Sequence, residues 1–437
     1  MLIYFLILRL AALFGHRKAR QLVSGQAATL RLLAERKDLK GAIWFHAASV
    51  GEFEQARPII EKLVERQKTA ALKEKRPIVV TFFSPSGYEA RKKYEQADGI
   101  YYLPFATRRN AKQFIEMLQP EMAIFVKYEF WPAYIRALKQ YNIPTYSICS
   151  IFRPKQYFFR WWGKGQLKVL RAFTHLYVQD EESRQLLAAH DVPNATVCGD
   201  TRFDRMMAVR AQTASLTEHS AQSTDRLKPI RQFVEGCEQV IVAGSTWPKD
   251  EELLEQYLST DRCADRAQNT DQVTKLVLVP HEIDEEHLHF IFNLFKGRFV
   301  RYSDVSTEHR AQNTDISIQN ILRHADVLLI DTMGLLSSIY PFGQVAYIGG
   351  GFGVGIHNTI EAAAYGMPVI FGPNYDHFRE AKGLIDAGAA RSIKNYSELE
   401  AALDTALENH ELIGQKAAEY VQSELGATDK IFGKIFS

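Results

Sequence analysis

Short apolar runs alternate with amphipathic stretches, and the alternation occurs twice along the chain. This pattern constrains the fold more than any other feature. The first series places strands at 41–46, 77–83, 99–103, 122–127, 145–149 and 175–179, with helical spacing over 54–67, 87–96, 110–118 and 134–141. The second places strands at 239–244, 275–279, 327–330, 345–348 and 368–371, with helices from Lys249 and over 284–295, 357–364 and 378–386. Strands alternating with helices of this length imply βαβ units and parallel sheets covered by helices. The polar stretch 205–235 reads as an irregular linker. The expectation is an α/β chain with two Rossmann-like domains, residues 23–210 and 211–437, after an N-terminal helix over 1–22. Its 437 residues suit two or three domains at roughly 100–200 residues each. Ligands on such sheets bind outside the carboxyl ends of the strands, so the site is expected in a cleft between the domains.

With 46% apolar and 24% charged residues, most of the chain can build cores and is not disordered. The net charge of +2 is weak for a nucleic-acid binder, and no nucleic-acid partner is expected. That total hides an asymmetry. Residues 1–40 hold eight basic and two acidic residues, a net +6, which leaves −4 for the rest. The chain begins MLIYFLILRLAALF, broken only by Arg9, and continues GHRKAR. A spanning helix needs about 20 apolar residues, so this run is too short to cross a bilayer. Its charge follows the run instead of preceding it, unlike a signal peptide. Two readings stand. One is a helix in the membrane interface with Arg17, Lys18 and Arg20 on anionic head groups; the other is a helix buried against the protein's own core. The lack of a polar face over residues 1–8 favours the first. Cys149, Cys198, Cys237 and Cys263 form no CxxC pair, which speaks against structural zinc and suits a reducing cytosol. Membrane contact would then be from the cytoplasmic side. The hexapeptide RAQNTD occurs at 266–271 and again at 310–315 between unlike flanks, and reads as surface-loop insertion.

Three junctions carry candidate chemistry. The first strand ends in HAASVGE, residues 46–52. Ser49 and Glu52 fit the S-x-x-E capping box, in which each side chain takes the other's backbone N–H. Glu52 at a strand end is also placed to act as a general base, and small Ser49 and Gly51 let a ligand approach, with Gly51 permitting an unusual turn. Glu129 in KYEFWP sits between a strand and a helix that Pro132 can open. In the second half, GGGFGVGIHNTIE at 349–361 follows a strand and opens a helix, so its amides could face phosphate. It matches neither G-x-G-x-x-G nor a P-loop, which disfavours an NAD-dependent enzyme. Asn358 and Glu361 again have capping-box spacing, while Glu361 could instead reach ribose hydroxyls. The aromatic run YFFRWW at 157–162 suits either core or a lipid-facing surface.

Taken in order, HAASVGE at 46–52, SPSGYE at 84–89, EFWP at 129–132, GDTRFD at 199–204, AGSTW at 243–247, LVP at 278–280, DTMG at 331–334 and the run 349–373 resemble the 3-deoxy-D-manno-octulosonic acid (Kdo) transferases of lipopolysaccharide synthesis. The resemblance covers most of the chain. It implies a GT-B glycosyltransferase on the cytoplasmic face of the inner membrane, with CMP-Kdo as donor and a lipid A precursor as acceptor. It also implies inversion at the anomeric centre, no cofactor and no active-site metal. Carried over, the catalytic base falls on Glu52, and transition-state stabilisation on Glu129 and Arg202. Donor contacts fall on Pro280, His281, Met333, Gly334, Leu335, Asn358, Thr359, Ile360 and Glu361, with Gly353 in the glycine loop. Lys127, Arg202, His281, Leu335 and the segment 150–153 depart from the family's usual residues. Competing readings are a GT-B enzyme using a UDP-sugar and a non-catalytic lipid A-binding scaffold.

Overall fold

The computed structural model describes residues 2–69, 75–219, 221–260, 274–306 and 315–437, with backbone alone for 2–6, 164, 214–219, 221–225 and 315–317. Cys263 and the first RAQNTD copy lie outside these residues, as does the second copy up to its final Asp315. The chain divides into two units, one of Met1–Arg205 with Glu424–Ser437, the other of Met206–Ser423.

The first unit holds strands β1 (Ile43–Ala47), β2 (Ile78–Phe82), β3 (Gly99–Tyr102), β4 (Met122–Val126), β5 (Thr145–Ser150), β6 (His175–Val178) and β7 (Ala195–Val197). They form one parallel sheet in the order β3-β2-β1-β4-β5-β6-β7. Parallel strands need both faces covered, and every residue of β1 and β2 is buried. Successive side chains point to opposite faces. Trp44 therefore packs with Phe114, Phe125 and Tyr134 on one side, and Phe45 with Phe53, Ile60 and Ile431 on the other. The chain runs outward from β1 to β2 and β3, then returns to place β4 on the other side of β1. That reversal opens a crevice at the carboxyl ends of β1 and β4.

The second unit repeats the plan with β8 (Gln239–Thr246), β9 (Thr274–Pro280), β10 (Phe299–Arg301), β11 (Val327–Leu329), β12 (Val345–Ile348), β13 (Val369–Phe371) and β14 (Ala390–Ser392), in the order β10-β11-β9-β8-β12-β13-β14. The reversal falls between β8 and β12. Both sheets match the sequence pattern to within a few residues, while the short strands β7, β10 and β14 went unread.

Three expectations change. The stretch 205–235 is no irregular linker but two helices, Thr201–His219 and Ala221–Val234. It contains no glycine and many good helix formers, which outweigh its polarity. Residues 424–437, expected in the second domain, belong to the first unit. Their helix Ala427–Ile435 buries Ile431, Phe432 and Ile435 beside Phe53 and Ile60, and Asp204 accepts the Gly426 and Thr428 N–H groups at 2.7 Å. The segment 1–22 is likewise not one helix. Helix α1 (Leu2–Leu13) ends before Gly15, whose φ of 95° suits glycine, and α2 (Arg17–Glu35) follows. His16 caps α2, which buries Ala19, Leu22, Thr29 and Leu33 against the body. No residue from Ile7 to Phe14 is buried, and Ile7, Leu10, Leu13 and Phe14 are exposed. Burial against the protein's own core is therefore not what α1 does over these residues. No helix among the described residues is long and apolar enough to cross a membrane. The aromatic run divides: Phe158 is core, while Trp161 and Trp162 are exposed.

Ile431→Ala should destabilise the first unit by about 2–5 kcal/mol, because it leaves a cavity in the layer beneath β1. A lower urea midpoint with an unchanged slope would show it; a wild-type midpoint would contradict the packing described.

Candidate functional site

Helix α3 (Val50–Thr69) begins directly after β1, and Glu52 lies in its first turn. The Glu52 Oε2 accepts the Ala48 N–H at 2.5 Å and the Ser49 N–H at 3.2 Å, while Ser49 Oγ takes the Glu52 N–H at 3.4 Å. The capping box is thus formed. It does not exhaust Glu52. Burial and the neighbouring Glu129 charge push its carboxyl up to about 7, against the pull of these N–H groups and of Lys127. A carboxyl at that value is poised for proton transfer near neutrality. Gly51 does not make an unusual turn. It is an exposed helical residue, and a Cβ there would meet nothing within 4 Å.

Glu129 follows β4, so the two carboxylates stand at the two strand ends that flank the crevice. Its Oε2 accepts the Trp131 indole N–H at 2.5 Å and lies 3.1 Å from His46 Nε2. His46 is wholly buried on β1. Sequence reasoning quoted it without assigning it a role. The signal was a histidine inside an otherwise apolar strand, three residues ahead of the cap. Lys127, in the left-handed region at φ 55°, acts electrostatically on both Glu52 and Asp200. Arg202 does not contact the carboxylate pair in any bond described; its guanidinium grips Asp200 at 2.7 and 2.9 Å. Burial would raise the Asp200 carboxyl, but Arg202 outweighs this and holds it below its ordinary value.

The second group of candidates gathers at the strand ends of the other sheet. Pro280 ends β9, and the His281 N–H bonds Thr246 O on β8 at 3.0 Å. The His281 ring stacks on Trp247 at 5.0 Å and on His357 at 4.3 Å. Burial and His281 push His357 down to about 4. After β11, Asp331 accepts from Arg301 at 2.8 Å and from Ser303 Oγ at 2.6 Å, which fixes the turn that follows. There Met333 is exposed, Gly334 has φ 86°, and Leu335 is buried. Asn358 and Glu361 bond each other side chain to side chain at 3.0 Å, in place of the expected box. Asn358 Oδ1 takes the Ile360 N–H at 3.1 Å, and Thr359 is wholly buried.

The glycine loop after β12 has two kinds of glycine. A Cβ on Gly349 would sit 2.3 Å from Ser245 O, and one on Gly351 2.6 Å from Gly372 Cα. These two serve backbone packing. Gly353 is different, with only Gly350 O at 3.6 Å, so its space is open. Asp250 anchors the loop, accepting the Gly350 N–H at 2.9 Å and the Tyr347 hydroxyl at 2.7 Å. Sequence reading missed Asp250, Trp247 and His357. Among the described residues no cluster of His, Cys, Asp and Glu could hold a metal ion.

Two measurements check this geometry. Gly349→Ala should lower the unfolding midpoint, whereas Gly353→Ala should stay within about 0.5 kcal/mol of wild type. Glu52 also links stability to pH. Its native value of about 7 lies above the ordinary 4.5, so the native state binds more protons between them and stability falls as pH rises through that window. Glu52→Gln should therefore be more stable than wild type at pH 8, by on the order of 1 kcal/mol, and no more stable at pH 4. Equal stability at both pH values would contradict the buried, like-charged setting.

Residues 17–205 match the family model described as 3-Deoxy-D-manno-octulosonic-acid transferase (kdotransferase). The 3-deoxy-D-manno-octulosonic acid transferase of Aquifex aeolicus is 27% identical over 369 residues, covering 83% of this chain and 85% of that protein. Its namesake from Rickettsia bellii is 25% identical, covering 91% and 86%. In fold, the chain is similar to the UDP-GlcNAc 2-epimerase of Neisseria meningitidis, at a TM-score of 0.60 and 14% identity over 90% of this chain and 98% of that one. The two-sheet α/β architecture is of the GT-B class. With the HAASVGE and EFWP junctions placed together at one sheet's crevice, the chain matches the Kdo transferase family over residues 17–205 and is similar to named Kdo transferases, which are glycosyltransferases, over most of its length.

Proposed function

We propose that this enzyme transfers Kdo from CMP-Kdo to a lipid A precursor by inverting direct displacement, with Glu52 as the general base. The observation that carries the reading is the Glu52 carboxyl, raised to about 7 and set beside Glu129 at the β1–β4 crevice. Glu52 takes the proton of the acceptor hydroxyl. That oxygen bonds the anomeric carbon while the bond to the CMP phosphate breaks, and CMP leaves with the electron pair. One base and an in-line attack suffice for inversion, by analogy with inverting glycosidases. Glu129 faces the positive charge that develops on the sugar, and Arg202, through Asp200, borders the same unit's site.

The donor reading rests on the second unit. Gly353 leaves room for a phosphate at the loop, and the stacked Trp247, His281 and His357 rings offer a face to the nucleotide. Met333, Gly334 and Leu335, with Asn358 to Glu361, line the remaining contacts implied by the family resemblance. Membrane attachment rests on α1, whose exposed Ile7, Leu10, Leu13 and Phe14 would enter the interface of the inner membrane's cytoplasmic leaflet, with Trp161 and Trp162 as further apolar surface. Arg17, Lys18 and Arg20 then meet anionic head groups.

Purified protein given CMP-Kdo and a tetraacylated lipid A precursor should add Kdo mass to the lipid, read by mass spectrometry, and should not use UDP-sugars. No added mass under any condition would overturn the reading. Glu52→Gln should lower the rate by about a hundredfold or more at an unchanged fold, the scale of acid–base catalysis; unchanged transfer would remove Glu52 from the role. Deleting residues 2–13 should release the protein from vesicles containing anionic lipid while its thermal midpoint stays put.

A further inference from the structure

The bonds around Glu129 form a continuous chain into the sheet. The Trp44 indole N–H donates to Thr81 Oγ1 at 2.8 Å. His46 Nδ1 lies 2.9 Å from that same oxygen and 3.0 Å from Thr81 O. His46 Nε2 then meets Glu129 Oε2 at 3.1 Å. Glu129 Oε2 also takes the Trp131 N–H at 2.5 Å. Nδ1 can accept the Thr81 hydroxyl proton or donate to Thr81 O. In the first arrangement the neutral ring carries its proton on Nε2 and donates it to Glu129; in the second only an imidazolium can do so. His46 is fully buried and edges against Phe125 and Trp131, so its ring has no freedom to turn away.

We propose that His46 is a positioning residue for the transfer reaction, holding Glu129 by its Nε2–H and drawing off the negative charge that Glu129 presents to Glu52. The inference rests on the reading of Glu52 as base, and adds the group that sets the charge opposite it. The charged groups acting on Glu52 are Glu129 and Lys127, both from the segment after β4, with His46 on β1 acting through Glu129. Burial and Glu129 raise Glu52, whereas Lys127 and the cap N–H groups lower it. Without the His46 donor, Glu129 keeps one short bond, from Trp131, and its charge stands less compensated. Glu52 then holds its proton to higher pH.

The test compares His46→Ala, which removes the donor, with His46→Gln, whose amide can still reach Glu129. The Glu52 carboxyl is titrated by carbon-13 NMR, assigned by loss of its signal in Glu52→Gln. In His46→Ala its midpoint should rise by roughly one unit, and kcat should fall about tenfold or more, the scale of one charge-assisted hydrogen bond. KM for CMP-Kdo should stay unchanged. His46→Gln should recover most of both. An unmoved Glu52 titration in His46→Ala, or a His46→Gln that falls as far as His46→Ala, overturns the proposal. The titration reports on Glu52 whether or not it is the base, so failure here is separate from failure of the Glu52 assignment. Should His46→Ala lose its cooperative unfolding, Trp131→Phe removes the other donor to the same oxygen and must move the Glu52 midpoint in the same direction.

Discussion

Two carboxylates that repel each other stand at the ends of neighbouring strands, and the first unit's site depends on that constraint. Like charges in a half-buried crevice cannot both ionise freely. The backbone places them there because β1 and β4 are adjacent in the sheet but far apart in sequence. Each is then stabilised by different means. Glu52 takes the Ala48 and Ser49 N–H groups just ahead of its own helix, and Glu129 takes side-chain donors from β1 and from Trp131. Burial and the Glu129 charge raise the Glu52 carboxyl to about 7, which poises it for proton transfer near neutrality.

The second unit uses a different economy. Its candidate residues are stacked rings, backbone amides, glycines and the Asn358–Glu361 pair, while Asp250 and Asp331 hold loops still. Asp250 ties the glycine loop to the helix Pro248–Ser259, and Asp331 is clamped by Arg301 and Ser303. Such a surface suits a ligand that brings its own negative charge, since the loops are fixed before it arrives and little ordering cost remains.

Much of this was legible in the sequence because buried parallel strands read as continuous apolar runs, and the order of the junctions carried the family resemblance. What stayed hidden had physical reasons. The helices over 201–234 have polar faces and no glycine, so composition suggested a linker while propensity dictated otherwise. His46 looks like one polar residue in a core strand; only the pairing of β1 with β2 and β4 reveals that it bridges Thr81 and Glu129. The S-x-x-E spacing at Ser49 and Glu52 had two readings, and the structure forms the cap while also burying the carboxyl. In the glycine loop, the spacing could not separate Gly349 and Gly351, which pack against backbone, from Gly353, which does not.

The helix Ala427–Ile435 completes a layer whose other buried members lie between Ile43 and Cys198. Ile431 and Phe432 cover Phe53 and Ile60, and nothing earlier in sequence replaces them. During synthesis the whole of the second unit is made before that cover exists. The apolar flank of the first unit therefore stays open until the segment that follows the second unit has been translated. A chain arranged this way folds its interior unit as an insert and closes its opening unit afterwards, so the period of exposure, and with it the demand on chaperones, is set by the length of the insert.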